Sequence, residues 1–351
     1  MMIFTTLFDS YYLDKGLCMY RSLKKVTDDF KLYIFCFDDR SKEILEKEGL
    51  ENAVMLSHKD LERKYPELLE LKEERSKAEY CWTCTPATIE YVLEECHEDN
   101  CTYIDSDLYF FRDPKVLFDE VDAPDKHTII TPHRFSDSIK DRHFLKRSGK
   151  YCVEFNYFDQ SPESRIALRW WRDKCFEWCY HIYEKDRMGD QKYIEKFPSM
   201  FKGVVELQNK GGGLAPWNLK QYELVNTESG MPYKTKEELE ALKDKIYLTL
   251  RDKKEKDKFD LIFYHFQNIR YLSEKKVNIS SETHDKVLKR AIYIPYLRDI
   301  ENTRKMLKEK YDISFSVKNI HASNKLIAFL QGTLLRFKIK SLSDIIDLSK
   351  L

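Results

Sequence analysis

Short apolar runs alternate with amphipathic stretches along the first half of the chain. MIFTTLF at 2–8 and FKLYIFCF at 30–37 have the composition of strands, and the second is apolar throughout, as in a sheet covered on both faces. Between them, apolar side chains at helical spacing predict a helix at 16–26. A helix at 41–48 and a short strand at 54–56 follow. This alternation predicts an α/β layered fold with a mixed, mainly parallel sheet flanked by helices.

Further helices are predicted on either side of the strand CTYID. Charged helical sequence covers 59–75 and is interrupted at Pro66. The next helix has Pro86 near its start, Thr85 as its cap and its end near Cys96. A long helix follows at 163–186. These segments would cover the faces of the sheet.

Composition narrows the classes of partner. Lys and Arg number 60 and so do Asp and Glu, so no overall field would recruit nucleic acid, and a small-molecule substrate or a local patch is expected. Aromatic residues make up 14% of the chain, beside ten Gly and ten Pro, which indicates a packed globular protein. The first residues lack the basic and long apolar regions of a signal peptide, so we do not expect secretion.

The cysteines also indicate a location. There are nine, an odd number, and several lie in apolar stretches such as LYIFCF, the pattern of reduced, buried thiols in a cytoplasmic protein. Cys81 and Cys84 form a C-x-x-C, but no second pair follows at zinc-site spacing. We therefore favour a structural role for these thiols over metal or redox chemistry.

Two aspartates follow the apolar strand CTYI. Asp105 and Asp107 lie at its carboxyl end, which is where ligands collect in parallel sheets. Two carboxylates this close repel each other unless a cation lies between them, and their hard oxygens suit Mg²⁺ or Mn²⁺. An isolated D-x-D more often ends a strand and solvates a turn, here before FFRDP. The surrounding sequence has to decide between these interpretations.

An ordered set of motifs supplies that context. It comprises YCWTCTPATIEYVLEECHEDNCTYIDSDLYFFRDP, ITPHRF, LRWWRDKCFEWCY, MGDQKYIEKFP, GGGLAPWN and FYHFQ, in that order. The set resembles bacterial glycosyltransferases of the GT-A, nucleotide-diphospho-sugar transferase type over residues 1–270. The resemblance implies a Rossmann-like nucleotide-binding half at 1–115, an acceptor-binding half at 116–270, and Mn²⁺ or Mg²⁺ holding the diphosphate of the donor.

The resemblance and the positions in the fold assign roles to single residues. The metal ligands are Asp105, Asp107 and His265, although a histidine that ends an apolar strand is more often a core residue. Asp190 and Gln191 are the catalytic pair, and Asp190 is also the N-cap of the next helix. The residues assigned to the nucleotide and donor are Thr5, Thr6, Asp9, Tyr12, Lys77, Asp105, Ser106 and Asn156.

Some assignments keep an alternative. Lys77, or Arg75 in its place, would lie near the diphosphate, and both are otherwise solvated helix charges. The glycines in 211–218 would let the backbone approach a ligand, or would form a flexible loop. Related enzymes often carry a glycine, and sometimes a lysine, just after the histidine. Here the run is HFQNIR, so diphosphate contacts would pass to Arg270.

The mechanism and substrates are predicted only in outline. GDQKY resembles the motif of retaining transferases, and no other acidic residue stands out as an opposite-face base, so retention is expected, with Asp190 binding the donor sugar and Gln191 bracing the developing positive charge. The predicted activity is metal-dependent transfer of a hexose, with a UDP-sugar favoured as donor, to a glycan or lipid-linked acceptor in polysaccharide biosynthesis.

Two alternatives to this activity remain. One is a glycan-binding or scaffolding protein on a degenerate transferase fold. The other is a sugar nucleotidyltransferase, which should show a glycine-rich phosphate loop that MIFTTLFDSYYLDKG lacks.

The resemblance fades after residue 270. Residues 271–351 are predicted to form a helical C-terminal extension. Its tail, 320–351, is basic and amphipathic and has no run of 18 apolar residues, so it would dock on the domain, pair with a partner chain, or lie on the inner face of a membrane.

Overall fold

A seven-stranded sheet forms the centre of the protein in a computed structural model that describes residues 1–225, 247–279, 281–315 and 344–350. The strand order is β3-β2-β1-β4-β7-β6-β8, and β5 lies outside this sheet. The first eight strands are Met2–Phe8 (β1), Phe30–Cys36 (β2), Ala53–Ser57 (β3), Asn100–Ile104 (β4), Leu108–Phe110 (β5), Thr128–Pro132 (β6), Tyr151–Asp159 (β7) and Val204–Glu206 (β8).

Most neighbours in this sheet are parallel. The pairs β1–β2, β2–β3, β1–β4 and β6–β8 are parallel, whereas β7 runs antiparallel to both β4 and β6. Nearly every residue of β1 and β2 is buried, because helices cover both faces. The prediction of a mixed, mainly parallel sheet flanked by helices is confirmed.

Nine α-helices lie in the described part of the chain. They are Leu13–Val26 (α1), Asp39–Glu48 (α2), His58–Lys64 (α3), Leu68–Glu74 (α4), Lys77–Glu94 (α5), Ile139–Ser148 (α6), Pro162–Glu177 (α7), Phe197–Met200 (α8) and Lys286–Tyr311 (α9). Short 3₁₀ turns cover Ser10–Tyr12, Pro114–Val121, Gln191–Lys196, Leu219–Gln221 and Leu348–Lys350.

Helix α5 begins well before its predicted start. Ser76 and Glu79 form a capping box at its N-terminus, so Thr85 is not the cap and Pro86 lies inside the helix. The Thr85 hydroxyl instead donates to the carbonyl of Cys81, 3.2 Å away. A proline inside a helix costs about 3 kcal/mol. The buried face of α5, which packs into the main core, is large enough to offset that cost.

Helix α7 ends earlier than predicted. Its last residue is Glu177, and Trp178 is extended. The guanidinium of Arg75 donates to the carbonyls of Cys175 and Phe176 at 2.7 and 2.6 Å, which satisfies the end of the helix. Arg75 is therefore a buried structural residue, and the interpretation of it as a substitute for Lys77 at the diphosphate is wrong.

Small antiparallel sheets flank the main one. The remaining strands are Tyr222–Val225 (β9), Thr249–Asp252 (β10), Lys258–Asp260 (β11), Phe263–His265 (β12), Arg270–Ser273 (β13), Lys276–Asn278 (β14) and Ile345–Asp347 (β15). β9, β10 and β11 form one sheet, β12 pairs with β5, and β13, β14 and β15 form another. The C-terminal extension thus contains strands as well as α9. Most of the predicted amphipathic tail lies outside the described residues.

Helix α9 packs on the first helix of the chain. The thiol of Cys18 in α1 lies 3.3 Å from the hydroxyl of Thr303, and the guanidinium of Arg21 donates to the same hydroxyl at 2.9 Å. Leu307 belongs to the hydrophobic core that contains β1 and α1. A domain boundary at residue 270 stays a prediction, but α9 shares its core with the N-terminal half.

Candidate active site

Strand pairing brings the predicted metal ligands together. Asp105 and Asp107 follow β4 and flank a turn that leads into β5. In the β5–β12 pair, His265 lies opposite Leu108, which places the imidazole beside the turn. Its Nε2 lies 3.1 Å from Oδ1 of Asp107 and 3.5 Å from Oδ2 of Asp105. A histidine distant in sequence thus joins the two aspartates at one end of the sheet.

The charges of this group are unbalanced. Burial raises the pKa of Asp105 to about 6, and repulsion from Asp107 adds to the effect. Burial acts the same way on Asp107, but the facing imidazole outweighs it and lowers the pKa of Asp107 to about 2. The Asp107 carboxylate in turn raises the pKa of His265, against the effect of burial. Two carboxylates and one imidazole are a ligand set that suits Mn²⁺ or Mg²⁺.

Asp190 lies close enough to Asp105 for the two carboxyls to interact electrostatically. Its carboxyl is buried, and its backbone carbonyl accepts from the indole of Trp171 at 3.0 Å. Burial raises the pKa of Asp190 to about 8, and the charge of Asp105 contributes. Asp190 is the N-cap residue of the 3₁₀ turn Gln191–Lys196, as predicted, but its side chain makes no capping hydrogen bond.

Gln191 links two segments at the edge of this site. Its amide Nε2 donates to the carbonyl of Ser148, the last residue of α6, at 2.7 Å. The neighbouring Lys192 donates to the carbonyl of Lys146 at 3.1 Å. These two hydrogen bonds connect the segment that follows Asp190 to the C-terminal end of α6.

The residues assigned to the nucleotide occupy two different environments. Thr5 and Thr6 do not follow the first strand, because β1 continues to Phe8 and buries both completely. Asp9 does follow it, and its carboxylate accepts from the backbone of Tyr11 at 3.0 Å. Tyr12 is 42% exposed, so its ring is accessible for stacking.

Two lysines lie against tyrosines at this end of β1. The ammonium of Lys77 is 5.0 Å from the centre of the exposed Tyr11 ring. The ammonium of Lys15 is 3.9 Å from the centre of the Tyr12 ring. Although burial opposes it, the carboxylate of Asp107 raises the pKa of Lys15, so this lysine faces the metal group. Lys15 also lines a cavity of about 30 Å³ with Ile269, from the loop that follows His265.

Other predicted contacts are occupied by the protein itself. Ser106 is buried between the two aspartates. The Asn156 carbonyl oxygen accepts from the backbone of Thr131 at 3.1 Å, and its amide donates to the carbonyl of Cys152 at 3.3 Å. These bonds bridge the irregular stretch of the β6–β7 pair. A donor contact by Asn156 would have to compete with them.

The three glycines at 211–213 serve internal packing. A Cβ on Gly211 would meet the carbonyl of Asp260 at 2.1 Å, and one on Gly212 would meet Leu207 at 2.9 Å. The Gly211 carbonyl accepts from the backbone of Ile262 at 2.9 Å, just before β12. Gly211 and Gly212 are thus closely packed rather than part of a flexible loop, and a ligand contact by residues 211–218 stays a prediction.

Three residues near the metal group were missed from the sequence. Glu154 in β7 has a fully buried side chain that contacts His265. Lys15 has no motif around it. Trp217 is partly exposed, and its ring lies 5.6 Å from that of His265. Only Glu154 carried a usable signal, a carboxylate within the apolar run CVEFNYF.

A second acidic group is neutralised internally. Asp252, Glu255 and Asp257 lie close enough to hold an ion. The ammonium of Lys210 already lies among them, 3.2 Å from Asp252 and 2.9 Å from Asp257. This lysine takes the place that a cation would have. Among the described residues, the helices that are long enough to span a membrane are too polar to do so.

Comparisons with known proteins give relatives and distant structural neighbours. No protein-family model matches the chain. The uncharacterized protein YfnD of Bacillus subtilis strain 168 is 30% identical over 303 residues, which are 85% of this chain and 88% of YfnD. The uncharacterized protein YfnF of the same strain is 28% identical over 280 residues, 77% of this chain and 82% of YfnF.

Three solved structures of glycosyltransferases resemble the chain at low identity. The bifunctional glycosyltransferase WbbM is 13% identical, with a TM-score of 0.47 over 90% of this chain and 52% of WbbM. The galactosyltransferase LgtC, with donor and acceptor sugar analogues, is 15% identical, with a TM-score of 0.41 over 61% of this chain and 76% of its own. Mouse xyloside xylosyltransferase 1 is 14% identical, with a TM-score of 0.40 over 61% and 87%. Similarity this low carries no argument about activity.

Proposed function

The chain belongs to the family of YfnD from Bacillus subtilis, and for this family member we propose a metal-dependent glycosyltransferase activity of the GT-A type. The observation that carries the proposal is the convergence of Asp105, Asp107 and His265 at one end of the sheet, with Asp190 beside them. The substrate would be a nucleoside diphosphate sugar, with a UDP-sugar favoured, and the acceptor a glycan or a lipid-linked glycan.

The metal group fits a divalent cation on the chemistry of its donors. Asp105, Asp107 and His265 would hold Mn²⁺ or Mg²⁺, and the raised pKa of Asp105 shows that its charge is poorly compensated without one. When bound, such a cation supplies positive charge to a diphosphate leaving group. His265 belongs to the β5–β12 pair, and the backbone carbonyl of Asp107 accepts from the backbone N–H of Phe266 at 2.9 Å, next to that pair.

The side chains at the end of β1 would bind the rest of the nucleotide. Lys15 lies near Asp107, and we assign its ammonium to the diphosphate. Tyr12 would stack on the base, and Asp9 would accept from the ribose, whereas Lys77 lies farther out against Tyr11. Lys15 thus supplies the basic residue that is missing after His265 and makes a contact from Arg270 unnecessary.

Asp190 and Gln191 would act on the donor sugar. Burial raises the pKa of Asp190 to about 8 in the metal-free protein, and a protonated Asp190 would donate a hydrogen bond to a sugar hydroxyl as well as accept one. Gln191 would brace the positive charge that develops at the anomeric carbon. We propose retention of configuration. Apart from the expected metal ligands and Glu154, which contacts His265, the described residues of this site offer no carboxyl that could act as a base on the opposite face of the sugar.

A screen of donor hydrolysis tests the proposal. The full chain is incubated with UDP-, GDP- and dTDP-sugars with Mn²⁺ or with EDTA, and the release of nucleoside diphosphate is measured. We expect Mn²⁺-dependent release from one nucleotide series. Asp257→Asn, in the acidic group held by Lys210, is a matched control that should keep full activity. Metal-independent binding of glycans without nucleotide binding would instead favour a glycan-binding protein.

NMR of the product tests the stereochemistry. An anomeric configuration like that of the donor supports retention. The opposite configuration would refute it and make Asp190 the leading candidate for the base.

A further inference from the structure

Glu154 makes two contacts with the metal group. Its side-chain Oε2 lies 2.5 Å from Nδ1 of His265, and its backbone carbonyl accepts from the backbone N–H of Asp105 at 3.1 Å. It is the fourth residue of β7, between two buried apolar neighbours, and its side chain has no exposed surface. One residue therefore contacts two of the three expected ligands.

Burying this carboxylate is costly, and only one of its two oxygens has a hydrogen-bond partner among the described residues. Its second oxygen, Oε1, accepts no hydrogen bond from any described residue. The nearby guanidinium of Arg134 donates to the carbonyls of Gly212, Leu207 and Asn209 instead. A buried carboxylate with one unsatisfied oxygen is destabilising, so a role outside the packing of β7 accounts better for its presence.

We propose that Glu154 is a positioning residue that holds His265 with the proton on Nδ1 and presents Nε2 to the cation. The inference rests on the proposed function, since it needs a metal at Asp105 and Asp107. In this arrangement the carboxylate accepts from Nδ1–H, which fixes the ring orientation and leaves the Nε2 lone pair directed at the aspartates. A carboxylate behind a ligating imidazole also makes that imidazole a stronger ligand.

A competing arrangement uses the other face of the imidazole. Cys152, Glu154 and His265 are themselves close enough to hold an ion, and all three are buried. An ion there would take Nδ1 as its ligand and would need Glu154 and Cys152 directly. The two arrangements therefore differ in whether the thiol of Cys152 matters.

Metal titration separates these possibilities. Mn²⁺ binding to the full chain is followed by the loss of the free-ion EPR signal for the wild type, Glu154→Gln, Cys152→Ser and Glu90→Gln. Glu90 is an equally buried glutamate, paired with Arg172 and Tyr65 far along α5, and serves as the control for losing a buried charge. We expect Glu154→Gln to raise the Mn²⁺ dissociation constant roughly 10- to 100-fold, and the other two variants to leave it unchanged.

Each other result overturns the inference in a distinct way. Equal affinity in Glu154→Gln and Glu90→Gln refutes the positioning role but keeps the metal site. A loss in Cys152→Ser as large as in Glu154→Gln places the ion on the other face. A wild type that binds no Mn²⁺ refutes both the inference and the proposed function.

A measurement on the wild type covers the case in which Glu154→Gln does not fold. Long-range ¹H–¹⁵N spectra of the protein labelled with ¹⁵N-histidine, saturated with Mg²⁺, report the protonation of each ring nitrogen. His265 is assigned by comparison with His265→Gln. We expect the proton on Nδ1, and a proton on Nε2 would overturn the inference.

Discussion

Arg304 in α9 binds Asp14 in α1, with 2.6 Å between Nε and Oδ2. The carboxylate is 1% exposed, and the guanidinium also lies 3.6 Å from the centre of the Tyr271 ring. Asp14 directly precedes Lys15, the lysine that we propose for the diphosphate. The ion pair therefore connects the helix that carries Lys15 to α9. The segment beyond residue 270 thus contacts the helix that carries Lys15.

Arg304→Met should therefore destabilise the whole protein. It leaves the Asp14 carboxylate buried without its partner, which typically costs about 3–5 kcal/mol. Urea denaturation measures the free energy of unfolding. Lys305→Met, which removes a 75% exposed lysine from the same helix, is the control and should change the free energy by less than about 1 kcal/mol. Equal values for the two variants would contradict the role of the ion pair.

Asp105→Asn and Asp107→Asn should affect the metal-free protein in opposite directions. The pKa of Asp105 is raised, so its ionised form is unfavourable in the fold and the amide should stabilise at pH 8. The pKa of Asp107 is lowered by His265, so its amide should destabilise. Each change is at most about 3 kcal/mol, measured by urea denaturation in EDTA.

Both variants should nevertheless lose Mn²⁺-dependent donor hydrolysis, because each removes a ligand. Full activity in either would end the assignment of that residue to the metal.

Lys15→Met should weaken binding of the nucleoside diphosphate more than Lys77→Met. The ammonium of Lys15 faces Asp107, whereas that of Lys77 lies on the exposed Tyr11 ring. Loss of one charge-assisted bond to a phosphate should raise the dissociation constant about 10-fold. Isothermal titration with UDP and Mn²⁺ measures it. A larger increase of the dissociation constant in Lys77→Met than in Lys15→Met would instead support the sequence-based assignment of Lys77 to the diphosphate.

The sequence predicted the layered fold because it follows from local patterns. D-x-D likewise led to the prediction of Asp105 and Asp107 as metal ligands, whereas His265 was assigned from the resemblance to glycosyltransferases. Apolar strands and D-x-D are visible over a few residues. Glu154 and Lys15 were missed because their importance depends on which strand or turn faces them. The start of α5 was misplaced because a proline normally begins a helix, and here burial and the Ser76 cap outweigh it.

Asp190 should contribute a loss of stability to the metal-free protein as the pH rises from about 4 to about 8. Its pKa is near 3.8 unfolded and about 8 folded, so in this interval the folded state holds a proton that the unfolded state has lost. The free energy of unfolding then decreases with pH by at most about 1.4 kcal/mol per unit from this group.

Asp190→Asn should remove that contribution. The free energies of unfolding of variant and wild type are compared at pH 5 and pH 8 in EDTA, and the variant should gain relative stability at the higher pH. A pH-independent difference would show that Asp190 ionises normally in the fold. The same variant should weaken donor-sugar binding but not binding of the bare nucleoside diphosphate.

Gln191→Ala should lower the rate of donor turnover roughly 10- to 1000-fold, the range for losing one preorganised polar contact to a transition state. Gln191 also holds the end of α6 through Ser148, so a control for lost anchoring is needed. Gln160 makes the same kind of bond, to the carbonyls of Leu93 and Glu98, outside the site. The turnover rates of both variants are measured by steady-state kinetics. If Gln160→Ala lowers the rate as much as Gln191→Ala does, the effect is due to the loss of a structural hydrogen bond.

The nine thiols of the described chain are free, and seven of them are buried. Cys81 and Cys96 are partly exposed, but burial raises the pKa of the Cys81 thiol to about 12, so an alkylating reagent would meet Cys96 first in the native protein. The seven buried thiols would react on the timescale of local opening. Cys152 is 5% exposed and lies beside His265, and burial raises the pKa of its thiol to about 12. Its rate of alkylation would therefore report how often the structure around Cys152 and His265 opens in the absence of a substrate.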